Sequence, residues 1–405
     1  MLVQPTTSRP TGLRLRVARA AIPIPILIGL GLGLGLVSLT ACGGQPPAPV
    51  PPGTTWTGDA ARILPLLERL EALSGTPVAA AAVTLRSAVE GCDQLYAHCP
   101  AGDPECSLPA RARCGGPEPG GPESPARLAE LRGAADWVFT WGSPEGHGLI
   151  LRGTGTPDGG LALDGEVYAP HEDGNEGPAS LLLPSAEPPG PARMSSAGAL
   201  IHARFRPDGG LNVARFIEGG DWSARLYRLQ SELFEGSTLA GVWELGVYTP
   251  RAGELIPPLA LALDIKRREL AVEGMETFLA DLQETWPVRR SDFRLRGLDG
   301  ACLSNVRVMP DLAPCYVASD DTLLVGWNPR SLELALADAG EPPWEPESSA
   351  ARVYLDRLPR ADAVVAETSG AFAPVPPEFY PWRRIELRGA RARDHYRLEA
   401  ELSPQ

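Results

Sequence analysis

From position 136 onward, apolar and polar residues mostly alternate, and single stretches of helical period interrupt them. Strict alternation reads as half-buried strand. It predicts strands over 136–140, 148–152, 161–168, 199–205, 242–248, 259–265, 292–296, 301–308, 315–318, 322–327, 352–356, 384–388 and 395–402. Pro157-Asp158-Gly159-Gly160 is a hairpin turn, and Pro207-Asp208-Gly209-Gly210 repeats it. Before 136 the period is helical. Over 59–73, Ile63, Leu66, Leu67 and Leu70 share a face, Asp59 caps the start, and Pro65 marks a kink or a later start. Residues 78–90 and 125–132 read as further helices. So do 221–235, where Trp222, Leu226, Leu229 and Leu233 align, 273–285, and 329–337, which Asn328 caps and Pro329 opens. Residues 92–125 have little periodicity and much Pro, Gly and Cys, and read as a loop stapled by disulfides.

Strands joined by short turns imply antiparallel sheet, and single helices between strand groups make the class α+β. The blocks 199–265 and 259–327 share a strand–helix–strand order, and with the doubled Pro-Asp-Gly-Gly they suggest a weak internal duplication.

The first 41 residues follow a different rule. Arg9, Arg14, Arg16 and Arg19 form a basic start, 20–38 is apolar, and small residues then precede Cys42. That is the three-part layout of a secretory signal. Leu39-Thr40-Ala41-Cys42 resembles the lipobox of bacterial lipoproteins. The resemblance implies cleavage between Ala41 and Cys42, diacylation of the Cys42 sulfur, and a membrane partner held through that lipid. Gly43 stands where an Asp would favour retention at the inner membrane, so by resemblance the outer membrane is favoured. The glycines at 29, 31, 33 and 35 and two prolines weaken a stable spanning helix, the competing reading. The chain then divides into signal peptide 1–41, anchor and Pro-rich tether 42–57, a helical and disulfide-stapled part with the first strands 58–193, and an α+β part 194–405. The body resembles uncharacterised secreted lipoproteins of GC-rich bacteria, and that resemblance implies no activity.

Charge narrows the partners. The signal holds four arginines and no acid, so its removal takes the net charge from −13 to −17. Such an acidic chain argues against nucleic acid and against a basic lipid-docking patch. With Cys42 acylated, six cysteines remain, an even number that reads as disulfides in an exported protein. Cys302 and Cys315 are close together and far from the rest, so they are expected to pair. Cys92, Cys99, Cys106 and Cys114 allow three connectivities, and nested Cys92–Cys114 with Cys99–Cys106 suits the turn-rich 100–105.

No stretch carries a recognisable catalytic or metal constellation. The five histidines, His98, His147, His171, His202 and His395, never adopt metal spacing. His171-Glu172-Asp173-Gly174-Asn175-Glu176 lacks the ligand alternation of a calcium loop, and solvated acidic loop accounts for it better. Ser143 lies in Trp141-Gly142-Ser143-Pro144-Glu145, without the flanking glycines of a nucleophile elbow, and Pro144 removes an oxyanion N–H. Asp320-Asp321 reads as a turn. Among nine tryptophans, Trp344 and Trp382 sit in Pro-rich or Arg-flanked stretches and read as the surface contacts.

The expected function is therefore a membrane-tethered envelope lipoprotein with a binding or structural role, no cofactor, no metal and an envelope protein partner. The alternatives are an apolar-ligand carrier with a cavity over a curved sheet, and an enzyme whose residues converge only in three dimensions. Protein extracted without reductant is expected to take up no thiol label, because lipid and disulfides together occupy all seven cysteines. Labelling at any of them would break this cysteine assignment.

Overall fold

A computed structural model describes residues 51–404 apart from 72–76, 104–105, 118–123, 145, 169–189, 206–238, 252–253, 255–256, 286, 305–311, 338–343, 345, 347–349, 358–381 and 392–394. Cys42 with its signal, the acidic loop 171–176, the second Pro-Asp-Gly-Gly and the helix expected over 221–235 lie outside the described residues.

Sixteen described strands form one sheet. They are β1 Gly53–Asp59, β2 Gln94–Pro100, β3 Arg113–Cys114, β4 Trp137–Gly142, β5 Gly148–Gly155, β6 Leu161–Tyr168, β7 Ala199–Phe205, β8 Leu239–Tyr248, β9 Leu259–Ile265, β10 Arg289–Leu295, β11 Leu298–Ser304, β12 Cys315–Ala318, β13 Thr322–Gly326, β14 Ala350–Tyr354, β15 Trp382–Arg391 and β16 Tyr396–Pro404. The spatial order is β10-β11-β12-β13-β9-β8-β7-β14-β15-β16-β6-β5-β4-β1-β2-β3. Every ladder is antiparallel, as the α+β reading requires. The described helices are α1 Ala60–Glu71, α2 Pro77–Val89, α3 Leu108–Arg111, α4 Pro125–Arg132, α5 Arg268–Thr285 and α6 Pro329–Ala335. None is long and apolar enough to cross a membrane.

Three expectations need correction. The tether does not reach residue 57, because Gly53–Asp59 is a strand between β2 and β4. Its pattern is hidden because threonines fill one face. Thr57 is buried and donates its hydroxyl to the Leu95 carbonyl at 2.8 Å, while Trp56 enters the core from the other face. The stretch 92–125 is not all loop: in β2, Leu95, Ala97 and Cys99 point to the core. Finally, the boundary at 193/194 does not divide the sheet, since β16 pairs with β6.

Three disulfides brace the body. Cys92–Cys114 encloses Cys99–Cys106, and Cys302–Cys315 joins residues directly opposite on β11 and β12.

The main cores lie on one face. In the first, Ile63, Leu67 and Leu70 of α1 and Leu85 and Val89 of α2 pack on Trp56, Phe139, Leu151, Leu163, Leu402 and Trp382. In the second, Met275, Leu279 and Leu282 of α5 pack on Leu263, Leu303, Tyr316 and Leu323. Ala351 packs against the second core and Val353 against the first. Residues two apart on a strand share a face, so both cores occupy the same side. The opposite side, called the back face below, is covered only in patches. Leu332 and Ala335 of α6 meet Val317 and Leu324, and Leu131 of α4 meets Val138 and Ile150. At Gly153 a Cβ would lie 2.1 Å from the Trp137 ring, so only glycine lets the indole lie across β5.

Leu67 is 1% exposed, on the buried stripe of α1. Leu67→Ala is expected to cost about 2–5 kcal/mol in denaturant unfolding. A cost near zero would mean that α1 is not docked as described.

Candidate functional site

Between its covered ends the back face carries charge. Its rows follow from strand register. Across β5, β6, β16 and β15, Arg152 lies opposite Asp164, Asp164 opposite Glu399, and Glu399 opposite Arg388. In the next row on that face Ala162 lies opposite Glu401, Glu401 opposite Glu386, and Glu386 opposite Arg352 of β14. Arg352 faces His202 of β7, and Arg204 of β7 faces Glu244 of β8.

Over the first four of these strands lies an open groove of about 690 Å³. One wall is the turn at 132–135, set by the short helix α4 before it. The Ser124 hydroxyl accepts from the Arg127 N–H at 3.2 Å and starts α4. Gly133, at φ 59°, ends it in the left-handed region. The Arg152 guanidinium rises from the groove floor and donates to the Leu131 carbonyl at the end of that helix. A cation there also meets the negative end of the helix dipole.

Most floor charges are matched. Arg152 lies 3.1 Å from Asp164 and 2.7 Å from Glu166. Arg397 reaches Asp164 at 3.4 Å. Glu386 is held between Arg388 at 2.8 Å and Arg352 at 2.7 Å. Arg352 in turn lies 4.4 Å over the Trp344 ring, a cation–π contact. Glu399, Glu401 and Arg132 line the groove and make no side-chain hydrogen bond or ion pair among the described residues.

Beyond Arg352 the charges are buried and mostly satisfied, with His202 Nδ1 and Arg204 Nε left without a hydrogen bond. Glu244 is fully buried. Its oxygens accept from His202 Nε2 at 2.8 Å and from the backbone N–H groups of Arg193 and Met194 at 2.7 and 3.1 Å. Arg204 pairs with Glu244 at 3.3 Å and donates to the carbonyls of Trp344 and Gly190. This network pins the segment around 190–194 and Trp344 across the back face. A buried charge with one partner removed is costly, so its role is to hold the covering chain in place.

The residues singled out from sequence do not converge here. The described disulfides lie away from the groove lining. The Ser143 hydroxyl accepts from the His147 N–H at 3.2 Å and closes a turn. Asp321 sits in the turn before β13 and pairs with Arg193 at 2.8 Å. Thr55 Oγ1 and His98 Nδ1 are 2.9 Å apart, and burial holds the His98 pKa below its ordinary value. Trp344 and Trp382 are 7% and 1% exposed, so neither is a surface contact. The guanidinium over Trp344 and the core under Trp382 explain their burial despite polar neighbours in sequence. Among the described residues the exposed tryptophans are Trp141 and Trp327. Sequence reasoning missed the groove residues. Their signal is the alternating charge Arg384, Glu386, Arg388 and Arg397, Glu399, Glu401 in the terminal hairpin.

No protein-family model, no curated protein and no solved structure matches this chain.

Burial pushes the Glu386 carboxyl up, but hydrogen bonds from Arg388 and Arg352 outweigh it and leave its pKa below the ordinary carboxylate range. Glu166 is likewise lowered, against burial, by Tyr168 and Arg152. A carboxyl depressed in the folded state contributes stability above its unfolded pKa, and that stability is lost as pH falls through the folded value. Glu386→Gln is therefore expected to lower stability at pH 7 by about 1–3 kcal/mol, by unpairing two guanidiniums. It should also flatten the acid loss that begins below about pH 4.3. Equal unfolding midpoints for the variant and the parent from neutral pH down to acid would remove Glu386 as the centre of the row.

Proposed function

We propose that this chain is an exported lipoprotein, tethered to the outer membrane through Cys42, that binds a polar partner in the envelope and catalyses no reaction. The observation that carries the binding role is the charged groove. It is open to solvent, walled by the turn at 132–135, and lined by carboxylates and a guanidinium that make no ion pair or side-chain hydrogen bond among the described residues. A lipid carrier would need a continuous apolar lining, whereas half of the residues lining this groove are ionisable.

The export half rests on the basic and apolar start, the cysteine after Leu39-Thr40-Ala41, and three disulfides, which suit an oxidising compartment. The first strand begins at Gly53, so eleven residues from Cys42 to Pro52 would separate lipid from sheet. Fully extended at about 3.1 Å per residue, they place the body roughly 30 Å from the anchor. Two or more acyl chains would hold it there essentially permanently.

Mass spectrometry of the membrane-extracted protein tests the anchor. The peptide beginning at Cys42 should carry a diacylglyceryl group, and Cys42→Ala should accumulate as uncut precursor. An unacylated mature terminus, or normal processing and membrane retention of Cys42→Ala, would overturn the reading.

A further inference from the structure

The pattern of charge in the groove goes further than its polarity. On an antiparallel sheet, like charges placed directly opposite each other are destabilising, and natural pairs are usually of opposite sign. Here β16 breaks that rule once on each side, although Glu399 also lies opposite Arg388 of β15 and Glu401 opposite Ala162 of β6. Glu399 lies opposite Asp164 of β6, and Glu401 lies opposite Glu386 of β15. The outer member of each pair is compensated: Asp164 by Arg152 and Arg397, and Glu386 by Arg352 and Arg388. The inner members have no ion pair of their own among the described residues: Arg388, opposite Glu399, attracts both Glu399 and Glu401 but is hydrogen-bonded to Glu386. Adjacent strands are about 4.8 Å apart, and alternate residues about 6.7 Å. Glu399 and Glu401 therefore stand two residues apart on the same face of one strand, as neighbours that one ammonium group can approach together.

The opposite sign is supplied from the wall. Arg132, half-buried in the last turn of α4, lines the same groove and has no side-chain partner among the described residues. Its guanidinium presents a fork of donors that matches a carboxylate. The turn after it is Gly133-Ala134-Ala135, and Ala162 and Thr154 lie on the floor, so small side chains leave room between the two charge sets.

We infer that the groove binds an amino-acid-like or peptide ligand carrying an ammonium and a carboxylate, with the ammonium between Glu399 and Glu401 and the carboxylate at Arg132. This names the ligand class for the binding role proposed above and rests on that reading.

The probe is N-acetyl-alanyl-lysine, titrated by calorimetry into the detergent-solubilised mature protein. Two controls each lack one charge: the C-terminal amide of the same dipeptide, and N-acetyl-alanyl-alanine. The parent dipeptide should bind saturably, and loss of either charge should weaken it about tenfold or more, since each removes a charge-assisted contact. Glu399 and Glu401 are exposed and Arg132 is half-buried with no ion pair among the described residues, so the variants should fold: Glu399→Gln with Glu401→Gln should erase the preference for the ammonium while keeping that for the carboxylate, and Arg132→Gln should do the reverse. Circular dichroism of each variant confirms the fold. Equal affinity for all three compounds, no saturable binding, or a preference unchanged in the variants overturns the inference. So does calcium binding that the double glutamine variant removes while no dipeptide binds, which would make the groove an ion site. Acylation of Cys42 is read separately, so an acylated protein that binds no dipeptide loses the ligand class and keeps its tether. An unacylated protein that binds keeps the ligand class.

Discussion

The structure depends on one strand being hydrogen-bonded along both edges. β16 pairs with β15 over Tyr396–Pro404 and with β6 over Tyr396–Leu402. Among the described strands, those ladders join β6 and the strands beyond it to β15 and the strands beyond it, and so carry the first core across the seam. Without β16, β6 and β15 would each present a row of unpaired N–H and C=O groups, an open edge that invites wrong pairing. Its apolar positions, Ala400 and Leu402, join the first core, and its charged positions form the middle of the groove. One strand near the end of the chain therefore completes both the fold and the candidate site. Arg397 and Asp164, in contact across this seam, are 233 residues apart in sequence. Long-range antiparallel pairing of that kind is slow to form, because the loop entropy is lost before the contacts are made.

The two faces of the sheet follow different rules. On one, helices α1, α2 and α5 cover apolar side chains, and burial of each large aliphatic side chain contributes about 1.5–3 kcal/mol. On the other, α4 and α6 cover only the flanks. The stretch between them must remain stable with little apolar cover, and cross-strand ion pairs take that part. Where the chain covers the charges, as at Glu244 and Arg204, every oxygen and most donors find partners, as burial demands. Where the face is open, at Glu399 and Glu401, water satisfies the carboxylates and the pairing is left incomplete. The difference between the buried fastening network and the open row of charge is one of solvent access.

Much of the architecture was legible because period is a local property. β9 at Leu259–Ile265 and β12 at Cys315–Ala318 match their expected bounds, and the cap at Asn328 opens α6 as its residue type indicates. β1 was missed because threonine hydroxyls, not apolar side chains, satisfy one of its buried faces. β2 was missed because glycines, prolines and cysteines around it mask seven alternating residues. Trp344 was misplaced because burial came from residues distant in sequence, Arg352 above its ring and His202 against its edge.

By itself the sequence determined the antiparallel α+β class, the helices with clear apolar stripes and the acidic balance of the chain. Each of these is set by neighbours within a few positions. The strand order, the seam at β16 and the groove were decided only in three dimensions. The charges of the terminal hairpin alternate visibly, but alternation fixes only which residues share a face. Which strand lies beside that face, and so whether a glutamate meets an arginine or another acid, is set by register between distant segments, and register has no local signal.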